Sequence, residues 1–120
     1  MLHSSSGAAG SDAAACEGYG DVLTITANAD IALREGRIAQ QEHDGWYRLA
    51  TRVLYRVPHG ESDAVRDAIA ALRDSARPVA SGAGYSTGIG SDAWNEADSL
   101  LGAACEDSGT GLAIEAFTGG

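Results

Sequence analysis

The sequence contains no lysine: all eight basic residues among its 120 are arginine. Aromatics make up only 6%, there are two prolines, two cysteines and one methionine, and no long apolar run. Each scarcity excludes something. Seventeen acidic residues against eight basic give a formal charge of -9. A chain with that field repels a phosphate backbone, which argues against nucleic acid as a partner. No apolar stretch approaches the roughly 20 residues that cross a bilayer, and no signal peptide is legible, so an exported form would begin after its processing site. With few aromatics, the core falls to Ala, Val, Ile and Leu, and a covalent staple would help so thin a core. The missing lysine, set beside abundant Ala and Gly, reads as translation from a GC-rich genome and carries nothing about mechanism.

What is present reads as helix. At this length the chain is one domain. Residues 1–14, Ser/Gly/Ala-rich after Leu2, read as a flexible tether, with a helical domain over 15–120. From Cys16 to about Glu42, Val22, Ile25, Ala29 and Leu33 recur at helical spacing, with a kink or end near Gly36. The β-branched "DVLTIT" would also suit a strand, but length favours helix. "HDGW" reads as a turn with Asp44 as N-cap. Trp46, Leu49, Ala50, Val53, Leu54 and Val57 then form the clearest amphipathic stripe, ended by Pro58 and Gly60. Ser62 or Glu61 starts a third helix (Val65, Ile69, Leu72, Ala76) that Pro78 stops. A glycine-rich connector over 80–90 leads to Ser91 and Asp92, which cap and charge a fourth helix carrying Trp94, Ala97, Leu101 and Ala104. Leu112, Ile114 and Phe117 would lay a short segment against it.

Four helices with mostly short connections predict an all-α, antiparallel four-helix bundle. In such a bundle the start of the first helix and the end of the last share one end. Cys16 and Cys105 occupy those places, so parity brings the thiols together, and the fold is closed by one disulfide. A stable disulfide points to an oxidising compartment outside the cytoplasm.

"SSSGAAGSDAAAC" resembles the tether that follows the lipid-bearing cysteine of small exported bacterial lipoproteins, especially actinobacterial ones. The resemblance implies a Ser/Gly/Ala spacer and a compact helical domain, sometimes with one disulfide, held at the outer face of a membrane. There is no lipobox, and His3 stands where an acylated cysteine could be. Membrane association is therefore expected only through a lipid anchor that these residues do not carry.

Candidate sites are few. His43 lies between Glu42 and Asp44, and His59 near Glu61 and Asp63. The two sit about 20 Å apart at 1.5 Å per residue along one helix, and each alone falls short of a closed metal set; both read as solvated loop residues. "GAGYSTGIG" lacks the Gly-Lys-Ser/Thr ending of a phosphate loop. Trp46, Tyr47, Tyr55, Tyr85 and Trp94 could line a pocket, although Trp46 and Trp94 read as plain core. Neither a nucleophile elbow nor a Cys–His pair stands out. The remaining asymmetry is charge: Arg48, Arg52 and Arg56 recur at i, i+4 and i+8 with no acid in between, while no basic residue follows Arg77. These three arginines are the candidate partner contacts. The expectation is a non-enzymatic, exported or surface-tethered interaction module without metal or cofactor. Two alternatives stay open: a small-ligand carrier or sensor binding between helices, and an acidic cytoplasmic inhibitor docking on a basic partner.

Overall fold

A computed structural model describes residues 3–78 and 87–114, with side chains from Asp12 onward. The longest element is α1 (His3–Arg34), 32 residues and about 48 Å at the helical rise. It begins thirteen residues before Cys16 and takes in residues 3–14, where a slack tether was expected. The serines and glycines suggested slackness, but Ala8, Ala9 and Ala13–Ala15 are the strongest helix formers and join an already helical segment. "DVLTIT" lies within the helix too. There Thr26 donates to the Leu23 carbonyl, which satisfies its hydroxyl without leaving the helix.

The helix ends at Arg34, short of Glu42, and the reason is Gly36. Its φ of +74° suits the left-handed position just past a helix end. The Gly36 N–H donates to Leu33 and the Arg37 N–H to Ala32, the paired bonds of a Schellman motif. After five connecting residues comes α2 (Gln40–Leu54), which starts four residues before Asp44. Its N-cap is Ala39, which offers no side-chain acceptor, so no capping residue marked this start. "HDGW" is accordingly helical, and Asp44 is not an N-cap.

α3 (Asp63–Ser75) and α4 (Asp92–Asp107) begin as their sequences predict. The Ser62 hydroxyl accepts from the Val65 N–H, and the Ser91 hydroxyl from the Trp94 N–H. The loop before α3 turns at Gly60, whose φ is +87°; a Cβ there would lie 2.5 Å from Val65 Cγ1. Most of the expected 80–90 connector, Tyr85 and Phe117 lie outside the described residues. Leu112 packs on the core, while Ile114 is exposed.

The described residues form four helices and no strand. α1 packs on α2, α3 on α4, and a smaller contact joins α1 to α4. Asp30 of α1 meets Tyr47 of α2, while Gly18 meets Val57 and Asp12 meets Glu61 in the segment that follows α2. Between α2 and α3 the guanidinium of Arg73 donates to the carbonyls of Val57 and Tyr55, touches His59 and lies over the Tyr55 ring. A cation placed at the C-terminal carbonyls of a helix is favourable.

One apolar core runs through all four helices, with Tyr19, Leu54, Ile69, Leu72 and Leu101 fully buried. Cys16 and Cys105 are bonded in it, across 89 positions of sequence and 5.9 Å between Cα atoms. Trp94 is core, but Trp46 is 43% exposed. The buried positions of α2 are Ala50, Thr51 and Leu54. That phase turns Trp46 to the rim, where its indole N–H donates to Glu42. Thr51 can be buried because its hydroxyl bonds the Arg48 carbonyl at 2.6 Å.

Candidate functional site

Three groupings on this scaffold have enough chemistry to be weighed. The first lies between α1 and α2. His43, expected in a solvated loop, sits in the first turns of α2 with its side chain only 12% exposed. Its Nε2 is 2.7 Å from Asp30 Oδ1, and its Nδ1 is 3.3 Å from Asp44 Oδ1. The Tyr47 hydroxyl donates to both oxygens of Asp30, at 2.8 and 3.1 Å, and its ring packs 4.5 Å from the imidazole. Gln40 donates to Asp44. Burial alone would lower the His43 pKa, but the hydrogen bonds to Asp30 and Asp44 outweigh it and raise the pKa above its ordinary 6.5. The phenol of Tyr47 is also pushed up, by burial and by the Asp30 carboxylate. A His–Asp pair is the raw material of general-base catalysis. Here, however, both ring nitrogens face carboxylate oxygens, which is how a protein holds an imidazolium. Both nitrogens are thus engaged by carboxylates of the protein itself.

The second grouping is the arginine stripe. Arg48 is half-buried and Arg56 exposed. Arg48 lies close enough to Asp44 to help hold that carboxylate below its usual range, after the bonds from Gln40 and His43. Among the described residues, neither Arg48 nor Arg56 forms an ion pair with a carboxylate of α4. Arg52 is half-buried within the same helix. Arg48 and Arg52 lie on α2, but the helix ends at Leu54, so Arg56 stands just past its end and the expected stripe of three along one helix is broken. His59, the other histidine considered, touches Arg73. No group of three or more His, Cys, Asp or Glu is gathered as a metal site among the described residues.

The third grouping is a surface groove of about 380 Å3 between α3 and α4. Its walls are the small side chains of Ala71, Ala93 and Ala97, with Leu100 standing 58% exposed at one side. Asp74 and Glu96 supply its polar edge. Alanine at these positions reads in a sequence as filler, so nothing signalled a depression there.

Sequence reasoning also missed Tyr19, which lies deep beneath α4. Its hydroxyl donates to Asp98 at 2.5 Å, and its ring is 5.9 Å from Trp94. Burial first, and then the Asp98 carboxylate, drive its pKa far above the ordinary 10. This pair ties α1 to α4 beside the disulfide, so it is a structural brace. No described helix is long and apolar enough to cross a membrane. Comparison with known protein families, with characterised proteins and with solved structures finds no match.

Proposed function

We propose that this chain is a non-enzymatic interaction module working outside the cytoplasm, free or tethered to the outer face of a membrane through a lipid anchor, as in the exported lipoproteins it resembles. The observation that carries the reading is the Cys16–Cys105 disulfide, which joins the first helix to the last. Such a bond persists in an oxidising compartment and is reduced in most cytosols. The fold it closes is read as an antiparallel four-helix bundle, supported by the pairing of Asp30 with Tyr47 and of Asp12 with Glu61. The commitment of both His43 nitrogens to carboxylates supports a binding role over catalysis. The negative charge supports a protein partner over nucleic acid. Arg48 and Arg52 on α2, and Arg56 just past its end, remain candidate contacts.

The test is to fractionate cells expressing the native gene and trap thiols at lysis with a maleimide. Recovery outside the cytoplasm with neither cysteine labelled is expected. A cytoplasmic protein with both thiols labelled would overturn the reading and favour the cytoplasmic inhibitor.

A further inference from the structure

We propose that the groove between α3 and α4 is a docking site for a basic, amphipathic peptide segment of another protein. This rests on the reading of the chain as an interaction module and names the partner's chemistry. The argument begins with shape. Ala71 of α3 faces Ala93 and Ala97 of α4 across the depression, and side chains this small leave room for one from outside. Leu100 is 58% exposed at the wall. A single exposed leucine is ordinary, but one bordering an apolar groove offers a surface on which an incoming aliphatic side chain can be buried.

Charge then selects among occupants. Asp74 and Glu96 are both exposed at the groove. The nearest counter-charge to Asp74 is Arg77, 3.9 Å away with both side chains largely in solvent, a pair too weak to neutralise the carboxylate. α4 holds five acidic residues and no basic one. Asp67, one helical turn before Ala71, and Asp107, two turns after Leu100, are exposed and continue the two faces. The occupant that matches an apolar slot between carboxylates is a helix or short peptide placing an aliphatic side chain between Lys or Arg residues. A second copy matches poorly, because two chains of charge -9 repel one another.

The experiment uses the oxidised protein and a labelled 18-residue Leu/Lys amphipathic peptide, followed by fluorescence anisotropy at low and moderate salt, with a Leu/Glu peptide of the same pattern as the control. Ala93→Trp fills the groove without changing charge; Ala93 is exposed, so the fold should survive, as circular dichroism will check. Saturable binding of the Leu/Lys peptide is expected, weakened at least tenfold by Ala93→Trp and at least threefold by Asp74→Asn with Glu96→Gln. Asp21→Asn, on α1, should leave it unchanged. Absent binding by the wild type overturns the proposal while leaving the thiol-based test of location untouched. Equal binding by Ala93→Trp overturns it as well, because attraction would then belong to the whole acidic surface. A wild-type dimer in sedimentation that Ala93→Trp dissolves would make a second copy the occupant and also overturn it.

Discussion

Nε2 of His43 on α2 lies 2.7 Å from Oδ1 of Asp30 on α1, thirteen residues away in sequence and across the helix interface. The pair makes stability depend on pH in a definite direction. The groups around the ring are Asp30 from α1, and Gln40, Asp44 and Tyr47 from α2. Two carboxylates among them hold the folded-state pKa above 6.5. A raised pKa means that the folded state binds the proton more tightly than the unfolded state does. The stabilisation is therefore complete below the unfolded value near 6.5 and is lost as pH rises through the folded value. Melting temperature should be higher at pH 5.5 than at pH 8, with both points above the carboxylate range (~4). His43→Gln should flatten that difference. A wild-type curve that rises with pH across this window would contradict the arrangement.

The disulfide should dominate stability. It closes a loop of 89 positions, worth roughly 4–5 kcal/mol in the chain-entropy account. Cys16→Ser with Cys105→Ser should lower the melting temperature by about 10 °C or more. In the wild type, reductant should reproduce the drop. A double variant that melts with the wild type would show that helix packing alone closes the fold.

The residues that were legible in the sequence are those whose signal is local. Ser62 and Ser91 cap the helices they precede, and Ile69, Leu72 and Leu101 are buried where their spacing places them. The Cys16–Cys105 pairing was legible because the chain has no other thiol, although Cys16 lies thirteen residues inside α1 and not at its start, where the parity argument placed it. What was not legible depended on rotation of one helix against another. Trp46 reads as core by size and spacing, yet the burial of Thr51 rather than Leu49 rotates the inner face of α2 away from it and leaves it at the rim. Asp30 and His43 are ordinary polar residues until α1 and α2 pack. The start of α2 carried no signal because Ala39 caps without a side chain, and the groove none because its walls are alanines.

Tyr19→Phe isolates the brace between α1 and α4. It removes a hydrogen bond to a carboxylate and leaves Asp98 half-buried without that donor. The cost should be about 1.5–3 kcal/mol in denaturant unfolding, the range for bonds to charged groups. Adding Asp98→Asn in the same background should cost little more, because the two changes remove one interaction. Alkaline titration offers a second readout. Tyr19 and Tyr47 are both held well above the ordinary phenol range, so their phenolate absorbance should emerge only on unfolding. Ionisation of Tyr19 and Tyr47 near pH 10 in the folded protein would contradict their burial.

Asp12 decides whether the first turns of α1 belong to the fold. Its Oδ1 accepts from the Glu61 N–H at 2.6 Å and the Ser62 N–H at 3.0 Å. These donors lie at the entrance to α3, 49 and 50 positions away. The Ser62 N–H is the main cause that holds the Asp12 carboxyl below its ordinary 3.8; burial opposes it, and the Glu61 N–H and the Ser62 side chain add to the lowering. A lowered pKa gives stabilisation that is present above the unfolded value and lost as pH falls through the folded one. Asp12→Ala should therefore destabilise the protein by about 1 kcal/mol at neutral pH, and the gap to wild type should close in strong acid. Asp12→Asn keeps an acceptor oxygen without its charge and should fall between the two. A slack tether would predict no change for either variant at any pH. The measurement is denaturant unfolding of all three proteins at pH 7 and again at about pH 3, below the ordinary carboxylate range. Superimposed curves at pH 7 would return residues 3–14 to the role of a spacer.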